Sequence, residues 1–251
     1  MIYKFICIIL LAFIFTSVIH ATPQSDYDYQ LTQYRKHHAE FQVLKEDNQK
    51  APTLDNQQKA LQAAKQTIIS RDTTKIAYIE LILDSIRSQK ITQDYVLQAE
   101  KDLVSAREFY ISQINLAKNI ISIEDLTNFT LEYLEAQLPY QSQIIKAQAT
   151  RKLAILNRLQ INTQNAYDGL LPSISDNTLN PVVAGLNRIN QLSKSINETL
   201  QTSIQMVNDS EVSNYSKQSF FNKQIEKLFN IKNFQIELVN ILVDLEQNYA
   251  N

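Results

Sequence analysis

Val182, Leu186, Ile189, Ser193, Ile196, Leu200, Ser203 and Val207 follow one another at alternating steps of four and three residues. An α-helix, at 3.6 residues per turn, brings such a series onto one face. A strand would scatter it over both sides of a sheet, because strand side chains alternate. Two of these positions are serine, so the seam is narrow and partly polar. The same rhythm runs through most of the chain, and its punctuation is sparse: 2 Gly and 5 Pro in 251 residues. Turn-rich β folds need many glycines for backbone with positive φ. A chain with so few has few tight turns. The expected fold class is all-α, an elongated antiparallel helical bundle of long amphipathic, partly coiled-coil helices.

The breakers fall between the periodic stretches. Pro23 precedes a first helix with a seam of Tyr27, Leu31, Tyr34, His38 and Phe41, and Pro52 closes that region. Asp55, with Gln58 three residues on, reads as the capped start of a second helix. Leu61, Ala64, Ile68, Ile76, Ile79, Leu83 and Ile86 form its apolar face. A turn at 88–94 leads, with Thr92 as cap, to a third helix through Ala99, Leu103, Ala106, Phe109 or Tyr110, and Ile114. Ser122 and Asp125 read as another capping box. The fourth segment, 123–166, carries Pro139 within a pattern that continues on both sides, which predicts a kink. The stretch 166–181, with Gly169, Pro172 and Pro181, reads as the one true linker, and Asn180-Pro181 as the next helix start. After a turn at 208–214, a last helix over about 215–249 offers Phe221, Ile225, Leu228, Leu238, Leu242 and Leu245. Phe229, Ile236, Val239 and Val243 widen that face, which predicts packing against more than one neighbour.

Residues 5–19 are almost wholly apolar, follow Lys4 and end near Ala21. A basic start, a short apolar centre and a small residue at the cut are the marks of a secretory signal. A membrane span needs about 20 apolar residues, more than this run holds. The expected organisation is a signal over 1–21, cleaved or kept as a short anchor. An N-terminal helical region over 22–166, a linker over 167–181 and a C-terminal helical hairpin over 182–251 would follow. The hairpin would pack on the same bundle. The one cysteine, Cys7, would leave with the signal, so the mature chain would rely on packing alone.

Residue types and their spacing limit the chemistry open to the chain. His37 and His38 are adjacent, and neighbouring helical positions point about 100° apart, so both do not reach one ion. No E-x-x-H, G-x-S-x-G or phosphate-loop pattern occurs. Glu132 and Glu135 could form an acid–base pair but read as solvated surface. Lys146, Arg151, Lys152 and Arg158 read as polar flanks of an apolar seam rather than a nucleic-acid stripe, in a chain of net charge −2. Asn128, Asn197, Asn208 and Asn214 sit in N-x-S/T triplets, relevant only to a glycosylating host. Tyr27, Tyr29 and Tyr34 cluster near the start of the mature chain, as core of the first helix or as a partner surface.

These features assign no catalytic, cofactor-binding or metal-ligating residue. They predict a non-enzymatic, exported helical protein that meets protein partners through apolar helix faces, without nucleic acid. Such a protein would be a scaffold, adhesin-like or chaperone-like subunit of an envelope or surface assembly. A homo-oligomer is compatible with the same faces. A signal-anchored membrane component differs only in keeping residues 5–19. A helical pore-former would need an apolar segment near 18 residues, which the mature chain lacks.

Overall fold

The computed structural model describes residues 22–174, 179–209 and 217–249, with side chains of the last helix described from Glu226 onward. The signal expected over 1–21, Asn214, Phe221 and Ile225 lie outside these limits. Among the described residues there are seven helices and no strand: α1 (Pro23–Lys50), α2 (Leu54–Arg87), α3 (Asp94–Lys118), α4 (Ile123–Ala136), α5 (Leu138–Ile174), α6 (Asn180–Asp209) and α7 (Lys217–Tyr249). The chain is an all-α helical bundle. At 1.5 Å per residue α2 is about 50 Å long.

Helix starts are set locally. Thr22 caps α1 by accepting from the Ser25 backbone N–H at 3.2 Å, and Pro23 follows it in the first turn. At α4 the expected capping box is complete. Ser122 Oγ accepts from Asp125 N–H at 3.0 Å, and Asp125 Oδ2 accepts from Ser122 N–H at 2.9 Å. Two expected caps are displaced by a residue or two. Thr53, not Asp55, caps α2, because Thr53 holds extended backbone and Asp55 already lies in the first turn, paired with Lys59 at 2.6 Å. Gln93, not Thr92, occupies the cap of α3 and makes no side-chain cap bond.

Two expected connections differ. The 123–166 segment is two helices, broken at Gln137, rather than one kinked helix. Pro139 has no N–H to return to the turn before it, and α4 is free to leave the line of α5. The linker expected over 167–181 is half helix, since α5 continues through Gly169 and Pro172 to Ile174. Burial explains it: Ile174 is fully buried and Leu170 packs against the same core, whereas Pro172 faces solvent. Lys90, in the α2–α3 turn, is the one described non-glycine residue with positive φ, at 53°, and neither glycine has one. The turns therefore draw on no glycine.

α1 packs chiefly on α2 and buries none of its residues fully. Ala63, Thr67, Ser70, Thr74 and Ala77 of α2 recur at steps of four and three, a row of small residues that admits the neighbouring backbone. Thr67 and Thr74 hydroxyls donate to the His37 and Gln30 carbonyls of α1, each at 3.0 Å. This register turns His37 toward α2 and leaves His38 exposed, so the first seam runs through His37 rather than His38. α3 packs on α2 and α5, and α5 carries α6 and α7. Gly185 of α6 lies where an added Cβ would be 3.2 Å from Leu245 of α7. Arg188 pairs with Glu237 at 2.7 Å, so α6 and α7 run antiparallel. Most of the α6 seam read from sequence is buried, at Val182, Ile189, Ile196, Leu200, Ser203 and Val207; Leu186 and Ser193 are half-buried, and Leu192 joins the buried side. One apolar cluster extends from Ile79 of α2 to Leu245 of α7, and a smaller one holds Leu61, Ala117 and Ile120.

Candidate functional site

Two features stand out from ordinary bundle packing. The first is a charged cluster between the two apolar clusters. Asp72 of α2 has no exposed surface. Its Oδ1 accepts from Arg71 Nε at 2.9 Å and from Tyr133 Oη of α4 at 2.8 Å, and its Oδ2 accepts from Arg71 Nη2 at 3.1 Å. Lys75, one turn on, donates to Tyr133 Oη at 2.7 Å and to Gln137 Oε1 at 3.3 Å. Aromatic rings close the sides. The Arg71 guanidinium lies 3.9 Å over the Tyr133 ring and the Lys75 ammonium 4.6 Å over Tyr110, while Phe109 stacks on Tyr140 at 4.2 Å.

Two cations face one carboxylate here, and the titrations reflect that. Burial pushes Lys75 down to about 8; Asp72 opposes the shift and Arg71 adds to it. Burial and the Asp72 charge push the Tyr110 and Tyr133 phenols well above their usual range. For Arg71, burial disfavours the charge, but its bonds to Asp72 outweigh that and its pKa rises. Asp72 has both oxygens engaged and no access to solvent. It acts as the counter-ion that lets Arg71 and Lys75 enter the interior. A cavity of about 290 Å³ lies beside Lys75, lined also by Tyr27, Tyr78, Tyr110 and Gln141. The fully buried Tyr110 hydroxyl has no hydrogen-bond partner among the described residues.

The second feature is an uncovered groove between α5 and α7. The inner seam of α7 is Leu228, Ile231, Gln235, Leu238, Leu242 and Leu245, all buried against α5 and α6. One position further round the helix run Phe229, Ile236, Val239 and Val243. Each is between 37% and 58% exposed. The widened face of the last helix therefore meets both α5 and α6 through its inner seam, and its outer row is left open. Ile155 of α5 is exposed beside its Phe229 end. Near Phe229 the two helices enclose a groove of about 290 Å³, walled by Ile155, Leu156 and Leu228, with Lys152 and Lys232 at its rim.

The residues singled out by sequence are dispersed. Glu132 and Glu135 are exposed on α4. Arg151 turns inward and donates to Ser85 Oγ at 2.8 Å, whereas Lys152 is on the groove rim, so the basic residues of α5 form no single stripe. Tyr27 packs on Tyr78 with centroids 5.1 Å apart, and Tyr29 is exposed. Asn128, Asn197 and Asn208 are exposed on helices. Among the described residues no group of three or more His, Cys, Asp or Glu is arranged to hold a metal ion, and no helix is long and apolar enough to cross a membrane. Sequence reading missed the charged cluster, though its trace is present. Asp72 stands four residues after Ile68 and four before Ile76, at a seam position. The chain matches no protein-family model, no curated protein and no solved structure.

Proposed function

We propose that this chain is a non-enzymatic helical interaction protein, exported by its N-terminal segment and acting as a structural subunit of an envelope or surface assembly. The observation that carries the reading is the α5–α7 groove. A second apolar row along a helix whose inner seam is already buried is not needed to close the bundle, and an uncovered row of this kind suits helix-in-groove binding. The charged cluster plays a different part, holding α2 and α4 in register beneath the surface. Residues 1–21 fit a cleaved signal, after which Thr22, the cap of α1, would be the first residue.

The test is a photo-crosslinking amino acid placed at Phe229, and as a control at the exposed Glu40 of α1, in the native cell. Adducts specific to position 229, from material whose intact mass matches a chain beginning at Thr22, are expected. Equal adduct patterns at both positions would remove the groove as the binding face. A full-length mass confined to membranes would replace export of a free subunit with a signal-anchored component.

A further inference from the structure

We propose that the occupant of the groove is a second copy of this chain, with α7 lying antiparallel against α7 of its partner about a two-fold axis at Val239. The proposal rests on the reading of the groove as an interaction face and names what covers it. The outer row of α7 continues Phe229, Lys232, Ile236, Val239, Val243, Glu246, at alternating steps of three and four, so that a charged residue stands on either side of its central apolar stretch. Lys232 and Glu246 are both exposed, and neither is in an ion pair among the described residues. One lies seven residues before Val239 and the other seven after it.

That spacing makes the row self-complementary. In a two-fold dimer the same patch meets itself, so each residue's position relative to the axis decides its partner. With α7 antiparallel, Lys232 of each copy meets the partner's Glu246, and Ile236, Val239 and Val243 fill the space between. With α7 parallel, Lys232 would face its own counterpart and Glu246 likewise, which like charges disfavour. Lys152 at the rim of the same end strengthens the positive pole. The two charged layers are 14 residues apart, about 21 Å of helix, and Ile155 of α5 lies at the Lys232 end. Complementary charges that pair across a helix–helix contact bias partner choice and direction.

Sedimentation of the purified protein across concentration tests this. A reversible dimer is expected. Val239→Asp should weaken it by roughly 100-fold or more, with circular dichroism unchanged, and with the urea midpoint unchanged at concentrations where the wild type is itself monomeric, because Val239 is not part of the folded core. Lys232→Glu should give monomer, and the exchange Lys232→Glu with Glu246→Lys should restore the dimer. Val239→Cys should form a disulfide-linked dimer under mild oxidation, and Phe229→Cys, remote from the axis, should not. A wild-type monomer at every concentration, a dimer that survives Val239→Asp, or no rescue by the charge exchange would overturn the proposal. If the wild type is monomeric while position 229 still yields specific adducts with another protein, the interaction face stands and only the second copy falls.

Discussion

The interior beneath α4 and the groove beside α7 solve opposite problems. Around Asp72 the bundle has buried charge and surrounded it with partners: Arg71, Lys75, Tyr133 and Gln137 are linked in one network under aromatic rings. Beside α7 the bundle has apolar side chains and leaves them open, with Phe229, Ile236, Val239 and Val243 in water. A buried charge is tolerated only when paired, and here the Tyr133 hydroxyl ties the Arg71–Asp72 pair of α2 to α4. An exposed apolar row costs the monomer little and awaits a partner. The same helical repeat thus yields a register lock in one place and an adhesive face in another. The difference lies in which residue types occupy positions three and four apart.

Three experiments would break or sharpen that contrast. The largest effect is expected for Asp72→Asn, which leaves Arg71 and Lys75 without a counter-ion in the interior. A loss of about 3–5 kcal/mol in urea unfolding at pH 7 is expected, and a loss below 1 kcal/mol would mean that water reaches the cluster and that its charges are not truly buried.

An intermediate effect should appear on raising the pH. Lys75 has a folded pKa of about 8 against an ordinary value of 10.5, so the unfolded chain binds more protons between those values and stability rises with pH from 8. Tyr110 and Tyr133 have raised folded values against an ordinary 10.0, so above pH 10 they reverse the trend. Stability should peak between pH 8 and 10, and Lys75→Met should remove the rise. A profile unchanged by Lys75→Met would show that the ammonium does not share the interior with Arg71.

The smallest effect is expected at Gln235. This residue has no exposed surface on the inner seam of α7; its Nε2 donates to the Leu156 carbonyl at 2.8 Å, and its Oε1 has no partner among the described residues. Gln235→Leu exchanges one hydrogen bond for relief of an orphaned acceptor and should change stability by no more than about 1 kcal/mol. A loss several times larger would place a second polar lock in the C-terminal half and erase the contrast.

Legibility from sequence followed locality. The α6 seam from Val182 to Val207 and the capping box at Ser122 and Asp125 were readable because neighbours within one helix determine them. The run of α5 through Pro172 was not, because the burial of Ile174 by distant residues outweighs the local signals for a break. The exchange of His38 for His37 in the first seam arose similarly, from two threonines on α2. The charged cluster joins Asp72 to Tyr133 across 61 positions, and the only local trace is an aspartate where an aliphatic residue should stand. The outer row of α7 was visible as apolar, but whether it would be covered was not.

By itself, then, the sequence determined that this chain is helical, because periodicity at 3.6 residues and the scarcity of glycine act within a few residues of one another. Only the tertiary structure decided which apolar rows close the core and which stay open, and which charges meet inside. Those outcomes depend on contacts between helices far apart in the chain, where burial and desolvation are shared among partners that no local pattern names.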